Sequence, residues 1–374
     1  MTAARTTPPF RADQVGSLIR PAALIEARAA AEAGRLAAGE LRQIQEGAIR
    51  EVVRMQEAIG LRSITDGEYN RSSWQRDFLL KLDNVKLVPS RITVHFHTTE
   101  GTRDHAPPSL AVTGKLSRPH GIFVDDFAFL RSATRQTPKV TVPSPTVLHF
   151  RGGRQAVDAA AYPDIAEFYA DLAAVYREEI ADLAAAGCRY LQIDEVNLAY
   201  LCDPNLRREV AGFGEDPDAL PATYARLLND AIAGRPGDMV IAMHLCRGNF
   251  AGAWMAEGGY EPIADLLFNR IDANAYFLEY DSPRAGGFEP LRFLPKGKTA
   301  VLGLVTTKGP RLEAKDDLKR RIDAAARFAP LDQLALSPQC GFSSGIGGET
   351  MTPDDQVRKL ELVVETAREV WGEA

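Results

Sequence analysis

His244 and Cys246 stand two residues apart in Met243–Asn249, MHLCRGN, in a chain of 374 residues with only six histidines and four cysteines. They follow an apolar run, DMVIA, that reads as a buried strand. On an extended segment, residues two apart project to the same side, so an imidazole and a thiol leave this strand end together. Glu279 in FLEYD and Cys340 in SPQCG occupy equivalent positions after two other strand-like runs. Two thiolates, an imidazole and a carboxylate form a tetrahedral donor set suited to Zn2+. A His-x-Cys pair alone is a weak signal; the second Cys and the Glu at matching strand ends make it a set. A buried Cys is otherwise a small hydrophobe, which is the reading taken for Cys188 and Cys202. Glu279 has a salt bridge as its alternative. His95 and His97 share one face of a strand but have no Cys or carboxylate to complete a site, so they read as exposed hairpin residues.

The elements that would position these groups alternate between strand-like and helix-like for most of the chain. Strands are expected at residues 11–17, 61–68, 137–145, 188–195, 238–244, 273–281, 298–306 and 332–340. Helices are expected near 22–33, 40–59, 163–187, 222–233, 313–328 and 352–372. The last of these has Thr352 as N-cap and Pro353 at the first helical position. Residues 84–116 alternate with period two and read as a β-hairpin insertion after the second strand. Eight strands with helical connections predict an α/β TIM (β/α)8 barrel over 11–374, preceded by a flexible tail at 1–10. Active sites of that fold lie on the loops after the strands. The polar residues there are Ser17, Asp66, Glu68, Asp194, Glu195, His244, Cys246, Glu279, Thr307, Lys308 and Cys340.

Net charge is −6 with scattered basic residues, which argues against nucleic acid or an anionic membrane as the partner. The N-terminus has no apolar signal core, and no window approaches 18 apolar residues. A cytoplasmic protein with reduced cysteines is expected, because four cysteines in this length do not make a disulfide framework.

In order along the chain, VGS, TDGE, LQIDE, MHLCRGN, FLEYD and SPQCG resemble the catalytic barrel of the cobalamin-independent methionine synthase family, from about residue 11 to 370. The resemblance implies zinc on His244, Cys246, Glu279 and Cys340. It places Ser17, Glu68 and Asp194 around the amino-acid part of homocysteine, with Ser17 on the carboxylate and the two acids on the ammonium. The family's second, N-terminal barrel, which helps bind polyglutamylated folate, is lacking here, so that donor is not implied. The family has a proposed proton-donating His after strand seven; GLVTTKGPR puts Lys308 there instead.

The implied reaction is alkylation of a small thiol by a methyl or other alkyl donor. Two thiolates and a carboxylate outweigh a divalent cation by about one unit, leaving electron density on a bound sulfur, which favours thiol alkylation over hydrolysis. Lys308, Asp66 and Tyr69 are candidates to protonate the leaving group. Arg20, Arg71 and Arg247 are candidates for an anionic group or for plain ion pairs. Trp74 is a wall for a ring-shaped donor or part of the core. Alternatives are a coenzyme M transferase-like enzyme with an epoxide donor, or a barrel without catalysis used for binding.

Overall fold

Apolar runs separated by amphipathic helices dictate parallel pairing with both sheet faces covered. The computed structural model, which describes residues 5–89, 94–98, 101–105, 108–249, 252–343 and 350–374, has that pairing. Val140–Pro143, Tyr190–Glu195, Val240–Leu245, Ala275–Glu279, Thr299–Val305 and Leu334–Pro338 form one six-stranded parallel sheet in chain order. Apart from half-buried Val240, every residue of these strands is buried. Because the pairing is parallel, all the strand ends that carry the candidate residues fall on one side.

The edges are where expectation and structure part. Ser63–Ile64 pairs in parallel with Thr137–Pro138 as a separate two-stranded sheet, just ahead of Val140 in the chain. The segment 11–17 makes only an isolated bridge, Ala12 with Leu336, flanked by bonds from Asp13 N to Leu336 O (3.0 Å) and Leu336 N to Arg11 O (2.8 Å). Between this segment and Ser63–Ile64 there is no strand ladder among the described residues. Side chains span the gap instead: the Thr65 hydroxyl donates to Gly16 O (2.7 Å) and the Ser63 hydroxyl to Asp13 (2.7 Å). The fold is α/β as expected, and among the described residues the strand ladder does not close between these two segments. The physical reason is local. Asp13 and Gln14 are buried polar residues whose side chains, not their backbone, reach the next segment.

The helices follow their sequence signals. Ile165–Ala185 starts at Asp164, whose carboxylate accepts from Ala166 N (2.9 Å), and packs on Leu220–Ile232. Pro353–Trp371 begins with a reciprocal capping box between Thr352 and Asp355. Between Ser63–Ile64 and Thr137–Pro138 lie two antiparallel pairs, Val85–Val88 with Ser109–Val112 and Val94–Thr98 with Gly101–His105. The latter docks on the loop after Val240–Leu245, where His97 and Trp254 exchange backbone hydrogen bonds of 2.7 and 3.0 Å. Of the expected tail, residues 1–4 lie outside the described residues. Phe10 is buried, and Arg5 donates its backbone N–H to Glu373 (2.8 Å), so residues 5–10 are tied to the body. Among the described residues, no helix is long and apolar enough to cross a membrane.

Candidate functional site

His244 is the fifth residue of Val240–Leu245 and pairs across the sheet with Asp194 on one side and Phe277 on the other. Cys246 is the first residue beyond that strand, Glu279 ends Ala275–Glu279, and Cys340 follows Leu334–Pro338 by two residues. One ligand atom from each of His244, Cys246, Glu279 and Cys340 lies within 4.8 Å of the other three, and all four residues are buried. The two sulfurs are 3.6 Å apart. With metal–sulfur bonds of about 2.3 Å at a tetrahedral centre, two sulfurs fall about 3.8 Å apart, so the pair fits one ion. The remaining donors point the same way. Among the described residues, both ring nitrogens of His244 and Oε2 of Glu279 are buried without a nitrogen or oxygen hydrogen-bond partner, a costly state for polar atoms that a cation would relieve. The donor set therefore could hold a metal, and its softness suits zinc.

The surroundings fix this geometry. Glu279 Oε1 accepts from Arg247 N (2.9 Å). The Arg247 guanidinium, wholly buried, bonds Tyr260 Oη (2.6 Å) and the Glu279 carbonyl (3.1 Å), and Glu279 N donates to Tyr260 Oη (2.9 Å). Gly248 N donates to the Cys246 sulfur at 3.2 Å. The neighbouring Cys246 thiol and the His244 ring hold Cys340 well below the usual thiol range, while Cys246 is pushed up by Cys340 and by burial. Burial raises the Glu279 carboxyl, against the pull of the Lys308 charge.

A cavity of about 800 Å3 is lined by His244, Cys246 and Cys340 together with Ser17, Glu68 and Asp194. Asp194 and Glu195 have opposite environments. Glu195 accepts from the Ser144 and Thr146 hydroxyls and from Asn197 N and Leu198 N, so it caps the short helix that follows. Asp194 lines the cavity and accepts from Gln192 (2.7 Å). Burial raises both Asp194 and Glu68, Glu68 to about 7, with Asp194 adding to the rise and Arg71 opposing it. Glu68 Oε1 accepts from the Thr141 hydroxyl (3.1 Å), and Oε2 has no partner.

Glu68 occupies the left-handed region, φ 62°, a cost of order 1 kcal/mol for a residue with a Cβ. The turn is held by Glu68 N to Asp66 Oδ1 (2.8 Å) and by the Arg20 guanidinium to Glu68 O (3.0 Å). Asp66 and Arg20 therefore shape the turn that aims Glu68. Arg71 bonds the Thr141 carbonyl, and the Tyr69 hydroxyl donates to Ile19 O (2.6 Å). None of Arg20, Arg71, Arg247, Asp66 or Tyr69 lines the cavity. The sequence shows which residue types sit near the strand ends, not which of them are already engaged with backbone carbonyls.

Lys308 does not line this cavity either. Its ammonium bonds Gly248 O (3.2 Å), and it lines a second cavity. Trp74 does line the main cavity, with Phe96 from the antiparallel insertion and Tyr200. The last two have no signal in sequence spacing. Cys188 and Cys202 are buried, with thiols pushed up to about 12 by burial. His95 pairs with Asp104 at 2.7 Å on an exposed face.

Residues 10–369 match the family model for the catalytic domain of cobalamin-independent synthase. The chain belongs to that family. It is 44% identical over 365 residues to the uncharacterized protein YxjH of Bacillus subtilis, covering 97% of this chain and 95% of that one. A Listeria monocytogenes structure, titled as a proposed vitamin-B12-independent methionine synthase, is 35% identical, with TM-score 0.76 over 99% of this chain and 100% of its own. The 5-methyltetrahydropteroyltriglutamate–homocysteine methyltransferase of Mycolicibacterium paratuberculosis is 26% identical over 364 residues, 97% of this chain but 43% of that protein.

Proposed function

We propose that this cobalamin-independent synthase-family member is a zinc-dependent S-methyltransferase whose acceptor is homocysteine. The observation that carries the proposal is the single cavity lined by both kinds of group: three of the four clustered donors, and a hydroxyl with two carboxylates beside them. Family membership and the activity named for the mycobacterial relative support the same reading. We also read the fold as a (β/α)8 barrel whose first two strands are joined through side chains, with residues 11–374 as one domain.

His244, Cys246, Glu279 and Cys340 would hold the zinc, which when bound supplies a site where the acceptor sulfur is a thiolate yet remains electron-rich. The protein's own residues then orient the acceptor. The Ser17 hydroxyl donates to its carboxylate, and Glu68 and Asp194 accept from its ammonium. Trp74, Phe96 and Tyr200 offer the donor an apolar and aromatic wall that keeps water from the transferring group. A sulfonate acceptor, as in a coenzyme M transferase, would meet Glu68 and Asp194 with like charge, while Arg20, Arg71 and Arg247 bind protein atoms instead.

Gly341 ties the acceptor side to the cluster. A Cβ there would stand 2.0 Å from Ser17 Oγ, and Phe342 N donates to Ser17 O at 2.9 Å. Gly341→Ala must therefore displace the Ser17 hydroxyl. The expected result is a KM for homocysteine raised about tenfold, the loss of one hydrogen bond to a charged group, with zinc content unchanged. An unaltered KM would remove Ser17 from the acceptor site.

Lys308 is assigned to the reaction through its charge. Its ammonium influences Glu279, Cys246 and Cys340, where it favours the ionised forms. Lys308→Met is expected to lower kcat at constant KM, by about a hundredfold if Lys308 also protonates the leaving group and by about tenfold if it acts by charge alone.

The test is to incubate purified, zinc-loaded protein with homocysteine and a panel of methyl donors and to follow thioether formation. Methionine is the expected product. A folded, zinc-loaded protein that neither binds homocysteine by calorimetry nor methylates it with any donor contradicts the proposal and leaves a binding role.

A further inference from the structure

The second cavity, about 1000 Å3, lies between the loops that follow Ala275–Glu279 and Thr299–Val305 and the helix Lys315–Ala325. Its described lining holds five cations against three acids. The acids already have partners. Asp281 pairs with Arg284 (2.7 Å) and accepts from the Thr306 hydroxyl (2.8 Å). Glu313 accepts from Thr306 N (2.9 Å) and faces Lys359, which lies outside the cavity. Asp317 is bound by Arg320.

Three cations have no carboxylate in salt-bridge contact among the described residues. Among the described residues, the Lys308 ammonium bonds the Gly248 carbonyl, Arg321 bonds the Tyr280 carbonyl, and the exposed Arg311 side chain has no hydrogen bond or ion pair. One wall of the cavity is the Trp254 indole, whose N–H is committed to Glu257 (2.8 Å) and whose face carries Arg284 at 5.1 Å. A described lining with more cations than acids, at a cleft of this size, concentrates anions there, and guanidiniums beside an ammonium suit carboxylate or phosphate oxygens.

We propose that this second cavity binds a multiply charged carboxylate- or phosphate-bearing anion on Lys308, Arg311 and Arg321. Lys308 makes the site more than a surface patch. Its ammonium contacts Gly248, a residue that lines the main cavity, so the two cavities share a wall. An anion bound there takes up the positive charge that otherwise acts on Glu279 and the two cysteines. Occupancy of one cavity therefore changes the electrostatics of the other. Two sources share this chemistry: an anionic tail on the alkyl donor, and a free anion acting as effector. Only the second step, from binding to an effect on transfer, rests on the proposed function.

The experiment uses the zinc-loaded protein and two probes, inorganic phosphate and glutarate, titrated by calorimetry into wild type, Arg311→Gln and Arg321→Gln, with Arg54→Gln as an exposed control on the opposite side of the sequence. Saturable binding at one site per chain is expected, weakened about tenfold by Arg311→Gln and by Arg321→Gln and unchanged by Arg54→Gln. Unaltered zinc content in Arg311→Gln shows that the fold is intact. In turnover, a probe that competes with the alkyl donor identifies the tail, and one that changes kcat without competing identifies the effector; either supports the site. No saturable binding, or binding equally strong in Arg311→Gln and Arg321→Gln, overturns it. Because binding is read without turnover, loss of methyl transfer and loss of this site are separate results.

Discussion

Cys246→Ser and Cys340→Ser are each expected to lose zinc and activity together, from about one zinc per chain to nearly none and to below about 1% of wild-type rate. The two sulfurs sit 3.6 Å apart with a buried, unpartnered imidazole and carboxylate oxygen around them. A hydroxyl is too weakly acidic to replace a thiolate as a ligand, so three donors remain and the charge balance shifts by about one unit. The fold should survive. Both cysteines lie beyond strand ends, and serine is smaller than cysteine, so no overpacking follows. Zinc is measured by elemental analysis after dialysis and folding by circular dichroism. A zinc-free yet fully active variant would remove the mechanism. His244→Ala should behave alike. Glu279→Gln is expected to be milder, since Arg247 and Tyr260 still hold the backbone of residue 279.

Asp194→Asn and Glu68→Gln carry the second large effect, on the acceptor. Each removes a charge-assisted hydrogen bond to the ammonium, about 1.5–3 kcal/mol, which corresponds to a rise of about tenfold to a hundredfold in KM for homocysteine. The two are expected to be non-additive, because the Asp194 charge acts on Glu68 and raises it. Glu68 also makes the reaction pH-dependent. Its carboxyl is raised by burial to about 7, so below that pH it is neutral and gives the ammonium no charge. kcat/KM should therefore fall as pH drops through about 7, while kcat, which reports the complex in which the ammonium holds Glu68 ionised, changes less. In Glu68→Gln that limb is expected to flatten. A wild-type profile level from pH 6 to 8, or an unchanged KM in both variants, would place the acceptor elsewhere.

The cluster of His244, Cys246, Glu279 and Cys340 is legible from sequence because it obeys a simple geometric rule. Residues at the ends of parallel strands arrive on one side of the sheet, so His244, Cys246, Glu279 and Cys340 could be grouped without knowing any distance. The rule does not separate neighbours. Asp194 and Glu195 look equivalent in LQIDE, yet one lines the cavity and the other caps a helix, because strand alternation turns them to opposite faces. Nor does it reveal prior engagement. Arg20 and Asp66 read as chemistry and are instead the groups that hold Glu68 in its left-handed turn. Lys308 follows its strand at the expected point, but it lines the neighbouring cavity, with its ammonium on Gly248 O at the wall between the two. The open ladder beside residues 11–17 is the corresponding case for the fold. RADQVGS reads as a short strand ending in Gly-Ser, whereas Asp13, buried against Lys139 (3.3 Å) and Tyr190 (2.9 Å), pins the segment through side chains.

X-ray absorption at the zinc edge of the purified protein, without and then with homocysteine, tests the centre of this proposal most directly. Two sulfur scatterers per zinc at about 2.3 Å, with nitrogen and oxygen completing the shell, are expected at rest, and a third sulfur on adding homocysteine. Zinc bound only through nitrogen and oxygen, or a sulfur count that homocysteine leaves unchanged, would contradict it.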